Sequence, residues 1–185
     1  MRSRACPSHE KSTTISGVKR VVTGPGASNP LHAVFEKRTD GPQLVSLSGA
    51  IDENADLGGV FSQLTGDTIL NMRGVERVNS MGVHHWIPIA TAFAAKHRLY
   101  IDEISYAFVQ NANVVANLFG AARVRSCMAP YYCASCKKNY TLPVTDKEVA
   151  DAGDAPPPKL CERCNAALDF DELDGYFSFF KRAVR

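Results

Sequence analysis

The sequence predicts an α/β fold, in which helices cover a mixed sheet and a small appendage follows it. Three patterns predict this fold. Residues 31–38 and 43–51 alternate between apolar and polar side chains and are joined by the turn "TDGP", which indicates an antiparallel hairpin. Helical and strand patterns then alternate as far as residue 132, which is typical of a largely parallel sheet. Two C-x-x-C pairs lie beyond the last of these strands.

The elements after the hairpin follow from periodicity. A helix is predicted over residues 54–64, despite the unfavourable pair Gly58 and Gly59, because apolar residues recur there at helical spacing. The next elements are a strand over 67–74 that ends in a turn at Gly74, a helix over 81–97, a strand over 99–105, a helix over 108–120 and a strand over 123–132. Pro88 must kink the second helix or lie within its first two turns.

The predicted organisation has four parts. Residues 1–29 mix Ser, Thr, Gly, Pro and basic residues without periodicity, which predicts a disordered basic tail. Residues 30–130 form the α/β domain, and 131–168 form the cysteine-containing appendage, in which "NYTLPV" is a short strand and "TDKEVADAGDAPPPK" a solvated loop. In residues 169–185, "FDELDGYFSFF" is expected to pack its aromatic face on the appendage or the sheet; binding a partner is the alternative.

Composition restricts the classes of partner. The formal net charge of +2 is too small to indicate nucleic-acid binding. Residues 1–29 carry five Lys/Arg against one Glu, whereas 147–175 carry eight Asp/Glu against three Lys/Arg, so the charge is bipolar. No segment reaches the roughly 20 apolar residues of a membrane helix, and "MRSRACPSHEKSTT" does not resemble a signal peptide. We therefore expect a cytoplasmic protein with no membrane partner.

The two cysteine pairs are the strongest chemical signal in the chain. Cys133 and Cys136 form the first pair, Cys161 and Cys164 form the second, and 24 residues separate the two pairs. This spacing predicts a zinc ribbon, in which four thiolates hold Zn²⁺ tetrahedrally. Four sulfur ligands leave no open position, so the site is expected to be structural and not catalytic. A redox dithiol is a weaker alternative, because neither pair has the βαβ context of thioredoxin-like motifs.

Residues beside the cysteines support this interpretation. Lys137-Lys138-Asn139 and Asn165-Ala166 follow the second cysteine of each pair and suit tight turns, in which Asn tolerates the left-handed conformation. Two cysteines remain: Cys127 is expected to be a small buried hydrophobic residue and Cys6 an inert tail residue.

The order of elements and three motifs resemble the STAS family, named for sulfate transporters and anti-sigma factor antagonists. "LVSLSGAID" is similar to the family's second strand, with its ending at Gly49, Ile51 and Asp52. "ILNMRGVERVNSMGVHHWI" is similar to the strand, turn and helix start that carry an Asp-Ser-Ser/Thr-Gly signature, and "NVVANLFGAARV" to the third helix and the entry to the last strand. The resemblance covers about residues 30 to 130.

The resemblance implies a regulatory site at residues 79–82. Ser80 matches the serine that a partner kinase phosphorylates in the family, and Gly82 is retained. Asn79 replaces the family's Asp and Met81 replaces its second Ser/Thr. The implied partner-binding residues are Asn79, Ser80, Met81, Gly82 and His85.

The residues around this site also have plainer interpretations. Ser80 is expected to be the N-cap of the helix that follows it, which is compatible with phosphorylation. His84 and His85 are adjacent on a helix, about 100° apart, and do not suit one metal ion. Trp86 is either a core residue or a partner anchor.

The sequence predicts a binding protein and not an enzyme, because no nucleophile with a base, spaced carboxylate pair or phosphate-binding glycine loop is found. The first hypothesis is an anti-sigma factor antagonist-like module that binds a kinase or anti-sigma partner and is switched at Ser80. The second is a non-switching scaffold whose zinc ribbon binds a protein or nucleic acid. The expected partner is a protein; nucleic acid is disfavoured by the few cations, Lys137 and Lys138, and a small-molecule ligand is not expected.

Overall fold

The computed structural model describes residues 15–22, 29–38 and 40–182, with the backbone alone for residues 15–22, Lys37 and Arg182. The strands in this part of the chain are β1 (Ile15–Val22), β2 (His32–Arg38), β3 (Gln43–Ile51), β4 (Thr68–Val78), β5 (Leu99–Asp102), β6 (Arg123–Val124), β7 (Ser126–Cys133), β8 (Lys138–Thr145) and β9 (Asp169–Phe170). The helices are α1 (Leu57–Phe61), α2 (Ser80–Ala94), α3 (Tyr106–Val114), α4 (Asp146–Asp151) and α5 (Ser178–Arg182).

The larger sheet is mixed and has the strand order β1-β2-β3-β4-β5-β6. Strands β1, β2 and β3 pair antiparallel, whereas β3, β4, β5 and β6 pair parallel. The predicted hairpin and the α/β class with a mixed sheet and helices are confirmed. Each of the helices α1, α2 and α3 connects two consecutive parallel strands. Such a crossover is expected, because the chain must return to the end at which the first strand began before it can form a parallel neighbour.

The predicted disordered tail is wrong for Ile15–Val22, which form β1 and pair along β2. This segment contains β-branched residues, and an edge strand needs hydrogen bonds on only one side, so a weak alternation is enough to extend the sheet. The rest of the predicted tail, except Asn29, lies outside the described residues.

Strand β4 differs from its prediction in length. It runs for 11 residues through Gly74, where a turn was expected. Gly74 pairs with Ser48 of β3, and a Cβ at this position would lie 2.7 Å from the Ser48 Cβ atom. The glycine therefore permits close approach of two strands. The extension brings Val78 beside Ile51 and places the start of α2 at the end of β3.

The predicted last strand, 123–132, is two strands in two sheets. Strand β6 pairs with β5, and β7 forms a second sheet of order β8-β7-β9. The chain changes sheets at Arg125, whose Nε donates to Asp102 Oδ1 at 2.7 Å while its backbone N–H donates to the carbonyl of Ile101. This long-range pair has no local sequence signature.

Part of the predicted loop after residue 144 is a helix. Thr145 caps α4, and its backbone and side chain exchange hydrogen bonds with Glu148 in a capping box. The Thr-x-x-Glu pattern in "TDKE" is the signal that predicts this helix start. The Asp, Gly and Pro residues further along the segment favour loops, which is why the sequence predicts a loop over the whole segment.

The core joins the two sheets. Trp86 is fully buried, packs edge-on against Phe61 and Phe108, and donates from Nε1 to the Leu118 carbonyl at 2.9 Å, so the core interpretation of Trp86 is confirmed. In the C-terminal aromatic segment, Phe179 contacts Phe119, which follows α3, and Phe170 contacts Tyr131 of β7. A candidate membrane-spanning helix is not found within the described ranges.

Candidate metal centre and helix-start site

The four cysteines of the two C-x-x-C pairs converge in space. Their Sγ atoms all lie within 4.8 Å of one another. Two close approaches join the two pairs: Cys133 Sγ lies 3.6 Å from Cys164 Sγ, and Cys161 Sγ lies 3.9 Å from Cys136 Sγ. Among the residues that the structure describes, this is the only group of three or more His, Cys, Asp or Glu side chains close enough to share a metal ion.

Each pair lies on a tight turn, as the sequence predicts. Cys133 ends β7 and Lys138 begins β8, while Lys137 between them adopts a left-handed φ of 52°. In the second turn Asn165 adopts a φ of 57°, and its N–H donates to the Cys161 carbonyl at 2.8 Å. The left-handed Asn165 agrees with the prediction, whereas in the first turn Lys137 takes this conformation and Asn139 lies in β8.

The surroundings of the sulfurs shift the pKa values of Cys161 and Cys136 in opposite directions. The Tyr140 hydroxyl lies 3.2 Å from Cys161 Sγ and, by donating to the thiolate, lowers the pKa of Cys161 to about 6. Contact with the other thiols, above all Cys164, raises the pKa of Cys136 to about 12. Without a cation the cluster therefore favours one thiolate over four, since like charges so close together repel. Tyr140 was missed by sequence reasoning, because its contact is not local.

A thiophilic cation fits this arrangement. The four thiols on the two turns can lose their protons and bind a metal ion as thiolates. The positive charge of the metal then offsets the repulsion among the thiolates. The spare Cys127 lies outside the cluster and is fully buried, as predicted, and burial raises the pKa of its thiol. Cys6 lies outside the described residues.

The start of α2 is capped by Asn79, so the prediction that Ser80 is the N-cap is wrong. Asn79 has extended backbone angles, and its Oδ1 accepts from the N–H of Gly82 at 2.8 Å. The backbone N–H of Asn79 also donates to the Ile51 carbonyl at 3.2 Å, which fixes the entry to the helix at the end of β3. Ser80 is thereby the first helical residue.

The predicted partner-binding residues do not all face solvent. Ser80 is exposed, Met81 is 48% exposed and His85 is half-buried. Gly82 is buried, and a Cβ there would lie 2.0 Å from the Ile51 carbonyl oxygen. The prediction that Gly82 binds a partner is therefore corrected: its role is to let α2 approach β3. The exposed surface is formed by Ser80 and Met81.

Two charged residues that the sequence did not single out border this surface. Glu53 accepts a hydrogen bond from Asn79 Nδ2 at 2.7 Å, and this bond lowers the pKa of Glu53. Arg77 pairs with the buried carboxylate of Asp52 at 2.6 Å. The Asp52 carboxylate also accepts from the N–H of Asn54. The loop after β3 is thus tied to the end of β4.

Substituting Asn79 with Ala is expected to lower the free energy of unfolding by about 1 kcal/mol, because the N–H of Gly82 loses its cap. Chemical denaturation of the full chain measures this change. Ser80→Ala is the matched control and should change stability by less than about 0.5 kcal/mol, since no hydrogen bond of its hydroxyl is present in the described part of the structure. Equal losses in the two variants would contradict the assignment of the cap.

Comparison with models of protein families, with curated proteins and with solved structures finds no match for this chain. What the chain does must therefore be argued from its own residues. The two surfaces with the clearest chemistry are the cysteine cluster and the exposed start of α2.

Proposed function

We propose that this protein is a regulatory protein-protein interaction module that resembles anti-sigma factor antagonists and is switched by phosphorylation of Ser80. The observation that carries the proposal is the exposed hydroxyl of Ser80 at the first position of a 15-residue helix, beside the exposed side chain of Met81. An accessible hydroxyl next to an exposed apolar side chain suits a surface that a kinase modifies and a partner covers.

Two further features support a STAS-like module. The antiparallel hairpin that leads into parallel strands follows the element order on which the resemblance rests. Asn79 replaces the family's Asp, yet its side-chain oxygen caps the helix as an Asp oxygen would. The replacement removes the negative charge of that Asp. The carboxylate of Glu53 nevertheless lies against the Asn79 side chain and accepts a hydrogen bond from it.

A phosphate at Ser80 changes the charge of the surface without disturbing the helix. It adds about −1.5 to −2 charges at pH 7, and the positive end of the α2 macrodipole tolerates them. A partner that buries the Ser80 hydroxyl and Met81 would then meet a hydrated dianion beside Glu53. Desolvation and repulsion would weaken such a complex, which is the proposed switch.

The proposal assigns Zn²⁺ to the cysteine cluster as a structural ion. Closed sites of four thiolates favour zinc, and the ion would hold the turn between β7 and β8 against the turn at residues 161–165. Within this proposal the second sheet and its turns are a zinc ribbon that stiffens the module, and the protein has no catalytic role.

The test is affinity capture from cells that naturally make the protein, with the full chain as bait and quantitative mass spectrometry as the readout. We expect the wild type and Ser80→Ala to retain one partner that Ser80→Asp loses by tenfold or more. Ser62→Asp, at another exposed serine, is the control and should retain it. Equal capture by Ser80→Asp and the wild type would contradict the switch.

A second candidate is a non-switching scaffold that binds its partner through the zinc ribbon. It is favoured by Leu160, which adjoins Cys161 and is 58% exposed. A partner that is lost with Leu160→Ser and kept with Ser80→Asp would favour this candidate.

A further inference from the structure

A groove separates the loop after α4 from the segment that leads into α5. Its volume is about 340 Å³. Residues 153–156 form one wall, and Phe170 with residues 173–177 forms the other. The groove is distinct from both the start of α2 and the cysteine cluster, since it includes no residue of either.

Apolar side chains in this groove remain in contact with solvent. Leu173 is 81% exposed, the largest value among the exposed large hydrophobic side chains of the described residues, and Pro156 is also exposed. Phe170, which lines the same groove, is half-buried and packs against Tyr131, Tyr176 and Phe177. Exposed apolar groups on a rigid aromatic base are typical of a surface that a partner covers.

The same groove carries negative charge. Asp154 and Asp174 line it and are both exposed. Asp154 pairs with Lys181 at 2.8 Å, whereas no ion pair of Asp174 is found in the described part of the chain. Asp171 and Glu172, the next acidic residues toward β9, lie just outside the lining. An electronegative groove of this kind repels phosphate backbones and attracts cationic side chains.

We infer that this groove binds an extended segment of a partner protein in which Arg or Lys alternates with aliphatic or aromatic residues. An apolar side chain of the segment would lie between Pro156 and Leu173, over Phe170. A neighbouring cation would approach Asp174 and compete with Lys181 for Asp154. Charge complementarity selects the basic segment, and the exposed apolar groups select its hydrophobic neighbours.

The proposal is tested by selecting a phage-displayed library of random peptides against the full chain. We expect enrichment of peptides that place Arg or Lys next to Leu, Ile or Phe, and micromolar affinity of the synthetic peptides by fluorescence anisotropy. Selection of acidic peptides, or no enrichment of basic and apolar residues together, would overturn it.

Variants of the groove sharpen the test. We expect Asp174→Asn and Asp154→Asn each to weaken the selected peptides about threefold, and Leu173→Ser about tenfold. Asn suits position 154 because the residue has a left-handed φ of 69°. Lys181→Met should strengthen binding about threefold, since it frees Asp154. A purely structural role of these residues would not produce opposite signs.

Two controls complete the design. Asp151→Asn removes an exposed carboxylate of α4 that does not line the groove and should leave peptide affinity unchanged. Ser80→Asp should also leave it unchanged, so that failure of this inference is distinguishable from failure of the proposed switch. Equal affinity for the wild type and all the groove variants would overturn the inference.

Discussion

Replacing Cys161 with Ser is expected to abolish metal binding and to lower the free energy of unfolding of the full chain by about 4 kcal/mol or more. Cys161 Sγ contacts Cys136 and Tyr140, and its thiolate is the one the fold already favours. A metal present at 1,000 times its dissociation constant contributes about 4 kcal/mol to folding, and this contribution disappears with the site. Denaturation followed by circular dichroism, beside metal analysis of the purified protein, measures both effects.

The same loss is expected when a strong chelator is added to the wild type, and it should be reversed by added Zn²⁺. Metal binding should also weaken as pH falls, because the sulfur ligands bind as thiolates and protons compete for them. Cys127→Ala is the control: this buried thiol lies outside the cluster, so the variant should retain its metal. Metal-free protein whose stability a chelator does not change would contradict a structural metal.

Substituting Gly82 with Ala is expected to lower the free energy of unfolding by about 2 to 3 kcal/mol. The new Cβ would lie 2.0 Å from the oxygen and 2.5 Å from the carbonyl carbon of Ile51, which are backbone atoms. Either α2 or the end of β3 must move, and overpacking of this kind costs about 1 to 3 kcal/mol or more. The gain of about 1 kcal/mol from Ala in a helix does not offset a displacement of both elements.

The control for this substitution is Gly66→Ala. No atom lies within 4 Å of a Cβ at Gly66, so stability should change by less than about 0.5 kcal/mol. Because α2 carries Ser80, Gly82→Ala should also reduce partner capture even where the chain is still folded. Equal stability of the two glycine variants in chemical denaturation would show that α2 does not pack against β3 as described.

Much of the fold could be predicted because its signals are local. Alternation in residues 43–51 predicted β3, and the C-x-x-C pairs with Lys137 and Asn165 predicted the cysteine turns. The N-cap could not be assigned from local pattern, because Asn and Ser cap helices about equally well. The choice of Asn79 depends on its N–H bond to Ile51, which requires the register of β3 and β4.

The remaining features depend on contacts between residues far apart in the sequence. The break between β6 and β7 requires Arg125 to meet Asp102, and Tyr140 acts on Cys161 across 21 positions. Glu53 reaches Asn79 only because the loop after β3 and the end of β4 lie side by side. Periodicity and spacing carry no information about such pairs, so the electrostatics of both candidate sites had to come from the structure.

Mass spectrometry of the intact chain, purified from the cells that naturally make it, tests the central claim most directly. The protein is compared with its Ser80→Ala variant under native conditions, so that bound metal and covalent phosphate are read together. The account predicts one zinc ion in both proteins and a phosphate that only the wild type carries. A wild type that carries no phosphate at Ser80 under any growth condition, while still exchanging its partner, would contradict the proposed switch.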